Sequence, residues 1–190
     1  MILTDGAIGQ MMEKVQFKTY TPPARDISWA TTGKPAGRQH NYITSLFIQP
    51  ERMEQHNLHL EEKFRRMREN ELLFEEIQTA DADYLLVAYG LSARICRKAI
   101  DIAREKGIRV GLLRPITLYP FPYQRIYDLA EQVQGMLSVE LNSGQMVEDV
   151  QLAVKGRVPV QFYGRLGGML PTPEELVQQI EKQLTTAHAS

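Results

Sequence analysis

The chain has 190 residues, enough for one domain of ordinary size with a substantial extension and a real core. Hydrophobic residues at 43% and charged residues at 24% exclude a disordered tail, and a formal net charge of -1 gives no global field for nucleic acid or an anionic membrane surface. No apolar run reaches the ~18–20 residues needed to span a bilayer, and no signal peptide leads the chain. The single cysteine, Cys96, excludes a disulfide framework or a cysteine-held iron–sulfur centre, so a reducing cytoplasm is the expected setting.

In chain order, Ile2 to Thr4 reads as the end of a strand, Asp5-Gly6 as a turn, and Ala7 to Glu13 as the start of a helix. A lone strand–helix piece lacks pairing neighbours, so it either joins a later sheet or is the remainder of something longer; the second reading is preferred. Phe17 to Asn57 has no long periodic segment and is punctuated by Pro22, Pro23, Gly33, Pro35, Gly37 and Pro50. Such a stretch marks an arm or a linker. Trp29, Tyr42, Leu46, Phe47 and Ile48 are too apolar for a solvated linker, so an arm lying across another surface is expected.

Leu58 to Thr79 carries the strongest helical pattern, with Leu60, Phe64, Met67, Phe74 and Ile77 near one face. Glu61 with Arg65 and Glu62 with Arg66 are helix-supporting pairs four apart, and the charge run from Glu61 to Glu71 reads as a solvated face rather than a nucleic-acid contact. From Asp83 the character changes. Tyr84 to Tyr89, Ile108 to Leu113, Met136 to Leu141 and Pro159 to Tyr163 are short apolar runs. They alternate with helix patterns at Ser92 to Lys106, Tyr123 to Val133, Gly144 to Lys155 and Pro173 to Thr186. That alternation predicts an α/β domain of three layers, with a mainly parallel sheet covered on both faces.

In a parallel sheet the loops after the strands share one edge, where ligands and partners are usually met. They are Gly90 to Ser92, Arg114 to Pro122, Asn142 to Gln145 and Gly164 to Gly168. Ser92 and Ser143 suit helix caps, while the helix starts themselves could instead hold a phosphate. Arg114 and Arg165 could fork onto carboxylates or phosphates, or could form a salt bridge with Glu140. Tyr119-Pro-Phe-Pro122 reads as a rigid loop presenting aromatic rings for a buried contact. Gly167-Gly168 allows positive φ or a close backbone approach.

A persuasive active site is absent. His40, His56, His59 and His188 show no three-ligand spacing, so no metal site is expected. Cys96 lies within a helix pattern and reads as a packed thiol. There is no P-loop and no Gly-x-Gly-x-x-Gly fingerprint.

Particular strings carry more. Leu3-Thr-Asp-Gly-Ala-Ile-Gly-Gln-Met-Met-Glu13 resembles the close of the pyrimidine domain in the alpha-type subunit of 2-oxoacid:ferredoxin oxidoreductases. His56-Asn-Leu-His-Leu-Glu-Glu-Lys-Phe64 is similar to that family's linker, especially in its 2-ketoisovalerate branch. Arg114 to Pro122, Glu140-Leu-Asn-Ser-Gly-Gln145 and Gly164-Arg-Leu-Gly-Gly168 resemble strings of its transketolase C-terminal-like domain. Thr4-Asp5-Gly6 is similar to the opening of the diphosphate-and-magnesium motif of thiamine enzymes. That motif needs a later asparagine pair, and Asn41 stands alone and too far along, so it is rejected.

The resemblance implies a division into residues 1–15 as a remnant of the pyrimidine-binding domain, 16–81 as a linker arm and long helix, and 82–190 as the transketolase C-terminal-like domain. It implies part of a heteromeric, thiamine-diphosphate-dependent enzyme that oxidatively decarboxylates a 2-oxoacid to acyl-CoA. Coenzyme A and the 2-oxoacid would be substrates, ferredoxin the electron acceptor, and other subunits the partners; no nucleic acid or membrane is implied. Thiamine diphosphate, magnesium and iron–sulfur clusters would lie elsewhere in the complex, with none bound by this segment alone. The segment would be structural and interfacial, without catalysis of its own. Arg114, Asn142 and Arg165 are the candidates for lining the approach of coenzyme A. Two competing readings are a free-standing α/β module holding a nucleotide or phosphate at its strand-end loops, and the beta chain of a 2-oxoacid dehydrogenase.

Overall fold

The computed structural model describes residues 1–17, 19–31, 33, 37 and 39–187, so Pro35 and His188 lie outside the described residues. The chain divides into two compact units, Met1–Met11 with Lys63–Ser190, and Met12–Glu62.

The first unit is built on a five-stranded sheet. Its strands are β1 (Phe74–Ile77), β2 (Tyr84–Ala88), β3 (Val110–Pro115), β4 (Gly135–Glu140) and β5 (Val160–Gly164). The helices of the chain are α1 (Gly6–Gln10), α2 (Pro50–Asn70), α3 (Gly90–Glu105), α4 (Tyr123–Leu129), α5 (Met146–Val154) and α6 (Pro173–Ala187). Strand order is β1-β3-β2-β4-β5; β2, β3, β4 and β5 pair in parallel and β1 runs antiparallel to β3. The mainly parallel α/β architecture expected from the alternating pattern is the one observed.

Central strands are buried on both faces, which is why they read as continuous apolar runs. Every residue of β2 and of β4 is buried. On one face, Leu86, Ala88, Leu112, Leu137 and Val139 pack with Ala93, Cys96 and Ile100 of α3 and with Leu176 and Ile180 of α6. On the other, Leu85, Val87, Leu113 and Met136 pack with Ile126 and Leu129 of α4 and with Val150 and Ala153 of α5. The α3 stripe at Ala93, Cys96, Ala99, Ile100 and Ala103 has the three-and-four spacing that turns one helix face inward. That helix ends in a Schellman motif: Ile108 N–H donates to the Ala103 carbonyl (3.0 Å) and Gly107 N–H to the Arg104 carbonyl (2.9 Å). Gly107 takes the left-handed backbone this stop requires, at φ 81°.

Two sequence expectations are corrected here. Ile2 to Thr4 forms no strand; Asp5 caps the short α1, its Oδ1 accepting from Ile8 N–H at 2.7 Å. The helix expected through Thr79 stops at Asn70, and Phe74–Ile77 is the edge strand β1. Phe74 and Ile77 lie three apart, which mimics a helical face. On a strand that spacing sends them to opposite faces, and they pack on opposite core clusters.

In the second unit, among the described residues, no strand forms and Tyr20, Ile27, Trp29, Tyr42, Ile43, Leu46 and Ile48 are exposed. His56 stacks on Phe47, with ring centroids 4.7 Å apart. No helix among the described residues is long and apolar enough to cross a membrane.

Candidate functional site

The carboxyl ends of the parallel strands form one edge. Between β2 and β4 the connections diverge, β2 leading to β3 on one side and β4 to β5 on the other, which is where open α/β sheets leave a crevice. The residues around it are Tyr89 after β2, Glu140 at the end of β4, and Asn142 in the loop that follows.

Glu140 is 1% exposed and points to the α5 side of the sheet. Its Oε2 accepts from the N–H groups of Gln145 (3.1 Å) and Met146 (2.9 Å), and its Oε1 accepts from Val147 N–H (2.9 Å) and from Ser138 Oγ (3.0 Å). A carboxylate from the preceding strand therefore occupies the helix start where an external anion would bind. The expected cap by Ser143 is corrected: α5 begins at Met146, its N-cap Gln145 makes no side-chain capping bond, and Glu140 supplies the acceptor. Ser92 likewise does not cap α3, which starts at Gly90 and buries Ser92 in its first turn.

Asn142 Oδ1 accepts from Gly144 N–H at 2.7 Å, closing a local turn. Burial first, and the charge of Glu140 with it, raise the Tyr89 pKa, and the nearby Asn142 side chain opposes them. β5 ends against the same loop. A Cβ on Gly164 would stand 2.4 Å from the Asn142 carbonyl oxygen, so only glycine permits the approach. Gly167 and Gly168 both adopt positive φ, at 62° and 82°.

The two arginines do not meet Glu140. Arg114 follows Leu112 on the α3 face and pairs with Glu75 of β1 at 3.0 Å, next to Arg97 of α3, which binds the same carboxylate at 2.6 Å. These two guanidiniums, Arg97 foremost, hold the Glu75 carboxyl below the usual glutamate range. Arg165 lies with Tyr163 on that face and approaches Glu175 at 3.7 Å. Glu175 in turn closes a capping box with Thr172 at the start of α6, Thr172 N–H to Glu175 Oε2 at 3.0 Å and Glu175 N–H to Thr172 Oγ1 at 3.2 Å. The salt bridge with Glu140 fails because the side chains alternate across the sheet and put the arginines and Glu140 on opposite faces. Arg114 and Arg165 also stand on β3 and just beyond β5, with β2 and β4 between them. Each is therefore tied to its own carboxylate, and they do not converge.

Of the remaining candidates, Cys96 is fully buried and its thiol pKa is pushed up by that burial. Phe121 of the proline loop is buried while Tyr119, after which the peptide to Pro120 is cis, stays exposed and meets Phe64 edge-on at 6.0 Å. Among the described residues no group of three or more His, Cys, Asp or Glu side chains could hold a metal ion, and the one cysteine is enclosed in the core. The donor set thus fits neither magnesium nor an iron–sulfur cluster. Sequence reasoning missed Tyr89 and the capping role of Glu140; a carboxylate reaching a helix start five to seven residues ahead leaves no local signature.

Residues 82–176 match the family model of the pyruvate:ferredoxin oxidoreductase core domain II. The ketoisovalerate oxidoreductase subunit VorB of Methanothermobacter marburgensis is 42% identical over 183 residues, which is 96% of this chain and 51% of VorB. The chain therefore spans about half the length of that relative. Among solved structures, the 2-oxoglutarate:ferredoxin oxidoreductase from Magnetococcus marinus, with 2-oxoglutarate, coenzyme A and succinyl-CoA bound, superposes with a TM-score of 0.61 at 17% identity. The match covers 72% of this chain and 24% of that one. A split-gene transketolase, in an inactive β4 tetramer, superposes with a TM-score of 0.51 at 17% identity over 58% of this chain and 41% of its own. Both likenesses show a shared transketolase C-terminal-like fold.

Proposed function

Because the chain belongs to the family of the pyruvate:ferredoxin oxidoreductase core domain II, we propose that it is the structural, subunit-joining part of a 2-oxoacid:ferredoxin oxidoreductase. The complete enzyme would oxidatively decarboxylate a branched-chain 2-oxoacid, transfer the acyl group to coenzyme A and pass the electrons to ferredoxin. The observation that carries this is the 42% identity to VorB along 96% of the chain. In this reading residues 1–15 are the close of the pyrimidine-binding domain, 16–81 the linker, which also lends β1 to the sheet, and 82–190 the transketolase C-terminal-like domain. Thiamine diphosphate, magnesium and iron–sulfur clusters are held by other parts of the complex, and the setting is cytoplasmic.

Arg114, Asn142 and Arg165 line the strand-end edge past which coenzyme A approaches. Since both guanidiniums already hold carboxylates, their part is to shape and balance that edge rather than to grip a phosphate directly. Arg114→Ala and Arg165→Ala in the whole complex are expected to raise the KM for coenzyme A several-fold with little change in that for the 2-oxoacid. Unchanged values for both would remove this role. For the larger reading, a complex purified on a tag carried by this chain is expected to contain a thiamine-binding subunit and an iron–sulfur subunit; recovery of the chain without either would defeat it.

The alternative of a free-standing module with a phosphate or nucleotide at these loops meets an electrostatic obstacle. Glu140 fills the α5 start, and Asp5 Oδ2 lies 3.4 Å from the position a Cβ on Gly90 would take at the α3 start. Two carboxylates stand where a phosphate would need free donors.

A further inference from the structure

Between the long helix α2 and the first buried strand, Leu73 to Asp83 carries four carboxylates, Glu75, Glu76, Asp81 and Asp83, and no basic residue. Each of the four meets arginine. Arg97 of α3 and Arg114 of β3 share Glu75, at 2.6 and 3.0 Å. Arg125 of α4 forks onto Glu76 through Nε and Nη2, at 2.6 and 2.8 Å. Arg104 of α3 forks onto Asp81 at 2.9 and 2.7 Å, and Arg109, just ahead of β3, onto Asp83 at 2.8 and 2.6 Å. Guanidiniums from the body of the domain thus face a wholly acidic segment. A single exposed ion pair contributes little, but forked pairs joined in a network are the exception.

Apolar packing holds the same segment weakly. No residue of β1 is buried, whereas every residue of β2 and of β4 is. Phe74 and Ile77 are its only apolar side chains, each partly buried and on opposite core clusters. β1 also ends the sheet, with β3 its one paired strand among the described residues. An edge strand that buries little opens at a lower free energy than the core it lies on. The turn after β1 is fixed more firmly. Gln78 takes a left-handed backbone, at φ 52°, and its carbonyl accepts from Arg104 Nη2 at 2.9 Å. A Cβ on Gly111 would stand 2.8 Å from that carbonyl oxygen, so the turn rests directly on the β3 backbone. Arg104 Nε also donates to the Val110 carbonyl at 2.9 Å, which ties turn and strand together.

We propose that β1 is a strap fastened by charge. It lifts from the edge of the sheet as one unit when its ion pairs are screened, pivoting at the turn that Arg104 pins. β2 to β5 and their helices stay folded. Release makes β3 the edge of the sheet and frees Arg97, Arg114 and Arg125. The closed strap therefore guards that edge. Phe74-Glu-Glu-Ile77 carries the charge with which edge strands resist pairing with other chains, while the strand it covers opens Val110-Gly-Leu-Leu113.

Hydrogen exchange on the full chain at two ionic strengths tests this. Raising sodium chloride from about 10 mM to about 1 M shortens the screening length from roughly 30 Å to roughly 3 Å. Amides of 74–77, with those of Ile116 and Thr117 that donate to the Leu73 carbonyl, are expected to exchange about tenfold faster in high salt. Those of β2 and β4 are expected to change less than about twofold. Glu76→Gln keeps the shape of the side chain and loses its charge. It is expected to speed β1 exchange already at low salt and to weaken its salt dependence. Glu181→Gln, which breaks the Lys106 pair on α6, is expected to leave β1 unaltered. Exchange in β1 that does not respond to salt would overturn the strap. So would β1 exchange that tracks β4 at both salt concentrations, or a Glu76→Gln chain whose β1 is as protected and as salt-sensitive as before. If Glu76→Gln does not fold, the salt comparison on the unaltered chain decides alone.

Discussion

Glu140 concentrates the chemistry of the strand-end edge in one residue. A carboxylate at 1% exposure is tolerable only with its oxygens engaged, and four donors meet it. Replacing it by alanine leaves the Gln145, Met146 and Val147 N–H groups without their acceptor and the start of α5 without its negative charge. Glu140→Ala is therefore expected to cost about 3 kcal/mol in urea unfolding, a large share of the roughly 5–15 kcal/mol that holds a domain together. Ser138→Ala removes one of four donors and is expected to cost about 1 kcal/mol. A loss below about 0.5 kcal/mol for Glu140→Ala would mean that water replaces the carboxylate freely. The same residue fills the start of α5, where free N–H groups could otherwise hold an anion.

Among the elements, β1 depends most on charge. It is a four-residue edge strand, and its two central side chains, Glu75 and Glu76, are fixed by arginines on opposite faces. Arg125 binds Glu76 at 2.6 Å through Nε, and Thr79 Oγ1 donates to the same carboxylate at 2.6 Å. The Arg125 bond first, and the Thr79 bond with it against a desolvation cost, hold the Glu76 carboxyl below the usual glutamate range. A group whose pKa is lower folded than unfolded stabilises the fold at pH above its unfolded value, and that contribution fades as pH falls through the folded one. Unfolding free energy is therefore expected to drop on acidification through that window. Glu76→Gln is expected to flatten that part of the slope and to lower stability at neutral pH; parallel pH profiles for the two proteins would show that the pair contributes nothing.

The same elements show what the sequence made legible. β2 to β5 and α3 to α6 could be placed because a parallel strand buried on both faces is a continuous apolar run, and these runs alternate with helix patterns. β1 could not, since a helix and an edge strand both accommodate Phe74-Glu-Glu-Ile77, and only pairing with β3 decides between them. Of the candidate site, the loops were found from their place after the strands. The partners of Arg114 and Arg165 were not, because which sheet face a side chain takes depends on register, and Glu75 and Glu175 reach them from a distant strand and helix.

Across the whole molecule, the chain divides into the sheet domain and a second compact unit, Met12–Glu62. The unit Met12–Glu62 leaves Trp29, Tyr42 and Ile43 at 57%, 83% and 87% exposure, and the sheet domain leaves its carboxyl edge apolar. Exposed surfaces of this kind are ordinary in a subunit and costly in a free-standing protein. The central claim, a structural part of a 2-oxoacid:ferredoxin oxidoreductase without catalysis of its own, is met most directly by an omission assay. Coenzyme A-dependent reduction of ferredoxin by 2-ketoisovalerate is measured with all subunits together, with this chain alone, and with this chain left out. The proposed role predicts activity only for the full set; turnover by the chain alone, or undiminished turnover without it, would contradict that role.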